Sequence, residues 1–204
     1  MTVRHRLFDH AWPAGEFQFF QLGFVVPDLL RAAAGWVADF GVGPFHLMPR
    51  AQSTCRYRGA VADIDLQIGV AQAGPVQIEL ICDHTDGHSV FTEMAARKSG
   101  NRFGFHQIAT LTRDYDATID HYLGRNHEIA AEMGHPGQRI AIIDTFAEFG
   151  FYTEVVEDKP SFRTHLAEIA RTCRDWDGAD PIRILTRDGY RLPDEPHPRK
   201  DAHR

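Results

Sequence analysis

The sequence is poor in cysteine: Cys55, Cys82 and Cys173 are odd in number, far apart and without a C-x-x-C pair. That spacing argues against a disulfide framework and a thiolate zinc site, and it predicts a reducing, cytoplasmic setting. Long apolar runs are also missing. No stretch approaches the roughly 20 residues of a membrane span, and the N-terminal segment MTVRHRLFDHAWPAGEF lacks the apolar core of a signal peptide. A soluble chain with no membrane partner is expected. Positive charge is short as well, with 22 Lys and Arg against 28 Asp and Glu and a formal charge of -6. Binding to a phosphate backbone calls for a basic face, so nucleic acid is not an expected partner. What remains is an ordinary globular balance, 43% hydrophobic and 25% charged, in a length that suits one large domain or two small fused modules.

The order of patterns along the chain repeats. Residues 1–17 mix charge with Pro13 and Gly15 and read as an arm, after which FQFFQLGFVV at 17–26 has the aromatic and β-branched content of a strand. Pro27 ends it, and Asp28 is placed to cap a helix in which Leu29, Ala33, Trp36 and Phe40 recur at helical spacing until Gly41, Gly43 and Pro44 close it. A loop is expected over 48–54, two strands within 56–71, and a third, PVQIELIC, at 75–82. The polar stretch 83–101 reads as a connector with a short helix around 90–98. The pattern then restarts at GFHQIATLTRDYDATIDHYL, where one constant shift lays Gln21 on Gln107, Asp28 on Asp114 and Trp36 on Tyr122 without a gap. Strands are expected at 138–146 and 150–157, then an amphipathic helix at 164–176 with Leu166, Ile169 and Ala170 inward. From Pro193 the composition predicts a disordered tail. The chain thus divides into an arm (1–17), a first βαβββ module (18–82), a connector (83–102), a second βαβββ module (103–158), and a C-terminal helix and tail (159–204).

The segments QLGFVVPDLLRAAAGWVADFGVGPF, VQIELI, GFHQIATLTRDYDA and FYTEVVE, set in two such modules, resemble the vicinal oxygen chelate superfamily, the group of glyoxalase I, methylmalonyl-CoA epimerase, extradiol dioxygenases and bleomycin-resistance proteins. The resemblance covers about residues 18–158 and leans to the glyoxalase and epimerase-like branch. It implies an α+β fold in which both modules curl into one barrel-like sheet around a cleft, with the last helix outside it. It also implies a divalent metal held by one residue from each opening strand and one from each closing strand. Those positions are Gln21, Glu79, Gln107 and Glu154. Glyoxalase I and the epimerases place His on both opening strands, so the two glutamines depart from the family pattern.

Two carboxylates and two amide oxygens would make an all-oxygen site, suited to Mg, Mn or Ca rather than Zn or Fe. Neutral amides are weak ligands, and the alternative is no metal. Glu79 and Glu154 would then form a paired-carboxylate site, one acting as base and the other as acid because each charge raises the other's pKa. His106 is an alternative to Gln107: a bulge or register change would turn it into the cleft, whereas strict alternation turns it out. Glu79, between Ile78 and Leu80, points either to solvent or into a site. The aromatics Phe19, Phe20, Phe24, Phe105, Phe151 and Tyr152 should divide between the two faces of the strands, those facing inward favouring an apolar or ring-bearing ligand. His84 and His88 fit a solvated turn better than a metal site, and His46 fits a surface or core position as well as a place near the cleft.

The function these features imply is an isomerase, epimerase or lyase that abstracts a proton next to the carbonyl of a small or acyl-thioester substrate. The alternative is a small-molecule binding protein of the bleomycin-resistance type without chemistry. A ring-cleaving dioxygenase is disfavoured, since only a bulge at His106 would supply even one of its histidines. Both modules lie in one chain, so a monomer can form the cleft and a homodimer is compatible with it.

Overall fold

The computed structural model describes residues 18–135 and 137–193, so the expected arm and the tail beyond Pro193 lie outside the described residues. The first module runs β1 (Gln18–Val25), α1 (Leu29–Phe40), β2 (Phe45–Leu47), β3 (Ala51–Tyr57), β4 (Ala60–Ala73) and β5 (Val76–Asp83). The connector carries α2 (Met94–Arg97). The second module runs β6 (Gly104–Thr112), α3 (Tyr115–Leu123), β7 (Glu128–His135), β8 (Gln138–Asp144), α4 (Phe146–Phe149) and β9 (Tyr152–Glu157). Then follow α5 (Pro160–Arg174), β10 (Ile182–Thr186) and β11 (Gly189–Arg191).

The repeated helices start for the same reason. Asp28 and Asp114 each turn a carboxylate back onto a free first-turn amide, of Arg31 at 2.9 Å and of Ala117 at 3.0 Å. Gly41 ends α1 in the left-handed conformation, with its N–H on the carbonyls of Trp36 and Val37. Leu29 and Ala33 of α1 are then buried against Ile78, Leu80 and Cys82, the alternate residues of β5. In the second module Tyr115 of α3 packs on Ala141, Ile143 and Val155. Each helix therefore covers the outer face of its own sheet and leaves the inner face to the barrel.

The sheet closes on itself through β1, β5, β4, β3, β7, β8, β9 and β6, eight strands in a curled barrel, while β2, β10 and β11 extend it as a flap beyond β4. At its centre the two opening strands β1 and β6 run antiparallel, and each is flanked by its own closing strand in parallel, β1 by β5 and β6 by β9. The modules are thus related by an approximate twofold axis between β1 and β6. One end of the barrel is filled by the connector: Val90, Phe91 and Met94 pack against Val25, Ile81, Ala131, Ile142 and Tyr152.

Several expectations change in detail. The loop expected over 48–54 is mostly strand, because β3 begins at Ala51; its first four residues are all exposed and carry no alternation to read. The first module holds the additional short strand β2, and the connector helix is reduced to one turn. The last helix starts at Pro160, with the proline at its first turn where a missing N–H costs nothing. Of its expected inward residues only Ile169 is fully buried. Strands β10 and β11 had no counterpart in the sequence reading, and β10 pairs in parallel with β2. Phe24, Phe105 and Phe151 face outward, in a run of ring contacts that continues to Trp36 of α1.

Candidate active site in the barrel interior

Strand alternation builds the site. On β5, Ile78, Leu80 and Cys82 face α1, which turns Gln77, Glu79 and Ile81 inward; on β9, Val155 faces α3, which turns Tyr152 and Glu154 inward. Gln21, Gln77, Glu79, Gln107 and Glu154 are all buried. The opening strands interlock at the axis in a reciprocal register, Gln107 opposite Gly23 and Gln21 opposite Ala109. A Cβ on residue 23 would lie 2.7 Å from Cγ of Gln107, so the missing side chain of Gly23 is the space that the Gln107 side chain fills.

The register also breaks where the sequence left two alternatives open. Gln107 pairs with Gly23 and Phe105 with Phe24, so His106 is an extra residue on β6, a bulge. With Phe105 outward and the bulge absorbed, His106 and Gln107 both turn inward: the two are neighbours in the site. His106 lies stacked on Tyr152, ring centroids 4.8 Å apart, with Phe91 at 5.0 Å on the connector side.

Gln107 is the hub of the polar contacts. Its Nε2 donates to Glu154 Oε2 at 2.5 Å and to Glu79 Oε2 at 3.3 Å, and its Oε1 lies 2.5 Å from His106 Nδ1. The other ring nitrogen of His106 lies 3.2 Å from the Val90 carbonyl. Gln21 does not join this group; its Nε2 donates to Gln77 Oε1 at 2.7 Å, and the Nε2 of Gln77 is buried without a hydrogen-bond partner. Gln77 was not among the sequence candidates, although its place two residues before Glu79 put it on the same face.

Burial sets the charge states. It pushes the Glu79 carboxyl well above the ordinary carboxylate range, reinforced by the charge of Glu154 and opposed by the Gln107 amide. It pushes Glu154 up to about 7 against the same amide. It pushes the His106 imidazole down to about 4, with the Val90 carbonyl and Gln107 opposing. Near neutral pH the site therefore holds at least one carboxyl proton and a neutral ring.

Below the site, the Tyr152 hydroxyl donates to Glu93 at 2.8 Å, and so does that of Tyr57 at 2.7 Å. Arg58 and Arg97 clamp Glu93 and Asp144 together, each arginine contacting both carboxylates. This network ties the connector to β3, β8 and β9, and no sequence motif announced it.

The divalent metal implied by the fold does not fit these residues as they are arranged. Gln107 presents its NH2 group, a donor, to the two carboxylates, and Gln21 is occupied by Gln77. Among the described residues no group of three or more His, Cys, Asp and Glu side chains could hold a metal ion. The other histidines weighed from the sequence, His46, His84 and His88, stand apart. His46 lies in β2 beside His165 and Arg183, His88 is exposed, and His84 lines a polar surface cavity of about 580 Å³ with Arg50, Asp65 and Asp86. An apolar cavity of about 380 Å³ opens on the outer side of the second module, between Tyr122, Phe149 and Phe151. The three cysteines are free thiols, and among the described residues no helix is long and apolar enough to cross a membrane.

No curated protein matches this sequence. Among solved structures, methylmalonyl-CoA epimerase from Mycobacterium tuberculosis is similar with a TM-score of 0.53 and 21% identity, over 76% of this chain and 97% of that one. The hypothetical protein BH1468 from Bacillus halodurans C-125 is similar with a TM-score of 0.50 and 14% identity, over 71% of this chain and 96% of that one. At such identities the likeness concerns the fold. The profile of the Glyoxalase/Bleomycin resistance protein/Dioxygenase superfamily matches residues 20–142, from the first opening strand into β8, and with more than half of its length so matched this chain belongs to that superfamily.

Proposed function

We propose that this protein is a proton-transfer enzyme of the isomerase, epimerase or lyase kind, acting next to the carbonyl of a small or acyl-thioester substrate. The observation that carries this reading is the pair of buried carboxyls, Glu79 and Glu154, joined through one amide and both raised in pKa. A base works best when its pKa lies near the working pH, and a neighbouring acid must keep its proton there. Glu154 has the properties of the base and Glu79 of the acid. In this scheme Glu154 takes the proton from the carbon next to the carbonyl while the oxygen gathers negative charge. Glu79 delivers its proton to the carbon or the oxygen according to the product. The partnerless Nε2 of Gln77 is a donor available for that oxygen, since a buried N–H2 without a partner is costly until something accepts from it. The similarity in fold to methylmalonyl-CoA epimerase supports starting with acyl thioesters.

The test is proton exchange in D2O, followed by NMR on a panel of 2-substituted acyl thioesters and 2-hydroxy carbonyl compounds. The wild-type protein should wash deuterium into the carbon next to the carbonyl of at least one of them, and Glu154→Gln should slow this by about 10²–10⁴-fold, the usual worth of a general base. Equal exchange in the wild type and in both Glu→Gln variants would remove the reading. A second reading, ligand binding without chemistry, is favoured by the absence of histidine from the two opening-strand positions, where Gln21 and Gln107 stand. It expects ligand-induced thermal stabilisation with no exchange at all.

A further inference from the structure

The His106 ring is caught between two oxygens. Its Nδ1 faces Gln107 Oε1 and its Nε2 faces the Val90 carbonyl. A neutral imidazole has one N–H and one lone pair, so it can donate to only one of them. The far end of the Gln107 amide decides which. Turned the other way, the amide would set Oε1 against the oxygens of Glu79 and Glu154, an acceptor against carboxylate charge in a buried site. The NH2 group therefore faces the carboxylates, Oε1 faces the ring, and the ring hydrogen belongs on Nδ1. Two further features serve this placement: the bulge that turns His106 inward beside Gln107, and the glycine that makes room for the Gln107 side chain.

We infer that the Gln107 amide is a built-in substitute for the cation of this fold, its NH2 group bridging Glu79 and Glu154, and that His106, held as the Nδ1–H tautomer, is the positioning residue that locks the amide in that sense. The inference stands whether or not the pair moves a substrate proton. It explains why glutamine suffices on the second opening strand: one NH2 group reaches the carboxyl oxygens of both modules and donates to each. Gly23 is the third element, since any side chain there meets the amide.

The experiment reads the ring directly. In protein labelled with ¹⁵N-histidine, in alkaline buffer, the His106 nitrogens should report hydrogen on Nδ1, opposite to the Nε2–H form that free imidazole side chains favour. Titration with Mn, Mg or Zn ions should leave the His106 resonances and the melting temperature of the wild type unchanged. The variant Gly23→Ala, which keeps every polar group but drives a methyl into Gln107, should shift the ring toward the Nε2–H form that serves Val90. Glu79→Gln combined with Glu154→Gln should do the same by removing the charge that orients the amide. A wild-type ring in the Nε2–H form would overturn the inference, and so would metal binding by the wild type that Glu154→Gln abolishes. The wild-type spectrum decides even if a variant does not fold.

Discussion

The two modules share a plan and differ at an inner position of the closing strand, and that difference shapes the site. In the first, Gln21 on the opening strand lies opposite Gln77 on the closing strand, and the two amides bond to each other. In the second, Gln107 lies opposite Tyr152, which stacks on His106 and sends its hydroxyl away to Glu93. Gln107 is left without an amide partner and reaches across the axis to the carboxylates of both modules. The same residue on two related strands is thus structural in one half and the hub of a proton-holding group in the other. Duplication supplies the frame, and the neighbour on the closing strand decides what each glutamine does.

The sharpest way to break the comparison is Glu154→Gln, with the loss of exchange given above. The same variant should flatten the dependence of stability on pH. Glu154 has a folded pKa of about 7, above the ordinary glutamate value of 4.5, so the native state binds more protons between those values and loses stability as pH rises through that window. Urea titrations from acid to alkaline pH should show this decline in the wild type and less of it in the variant. Glu93 has the opposite sign. Burial works against its ionisation, but Arg58, Tyr57 and Tyr152 outweigh it and hold the carboxyl down at about 2, so its contribution is present above 4.5 and fades as pH falls toward 2.

The next largest effect belongs to the network beneath the second module. Arg58→Ala leaves Glu93 and Asp144 without one of their two guanidinium partners. Since the Arg58 side chain is 25% exposed, the full cost of breaking a buried pair is reduced to about 2–3 kcal/mol, measurable by urea unfolding. Tyr152→Phe keeps the ring against His106 and removes only the hydroxyl donated to Glu93; about 1–2 kcal/mol is expected. If instead His106 loses its ¹⁵N signature in this variant, the ring stack depends on the hydroxyl's anchor. Smallest, and equal across the modules, are the helix caps. Asp28→Ala and Asp114→Ala should each cost about 1 kcal/mol, and a marked inequality would show that the repeat is less symmetric in energy than in geometry.

Local patterns carried much of this into the sequence. The family resemblance of VQIELI and FYTEVVE singled out Glu79 and Glu154, with Glu79 left open between solvent and a site, and the gapless repeat placed Gln21 and Gln107 at equivalent points. The caps were legible because Asp before an apolar helical run has one common use. His106 was legible only as an alternative to Gln107, should a bulge intervene. Alternation turns it outward, and the bulge that reverses this arises from pairing β6 with β1 across the axis, 84 residues away in sequence at the Gly23–Gln107 contact. Gln77 was on the right face but gave no reason to be singled out until Gln21 was seen to bond it. Strand β10 is short and half-buried and β11 is shorter and mostly exposed, with little periodicity; β10 pairs with the edge that β2 offers, and β11 pairs with β10.

By itself, then, the sequence determined most of the segments that form strands and helices, that the set occurs twice, and which side chains alternate along a strand, because these depend on spacing along the chain. Only the tertiary structure decided which inner residues meet. The pairing of one glutamine with an amide and the other with two carboxylates, the inward turn of His106, and the filling of the barrel by Phe91 and Met94 are contacts between strands and loops distant in the chain. Register, bulge and burial set them, and no local pattern encodes those three.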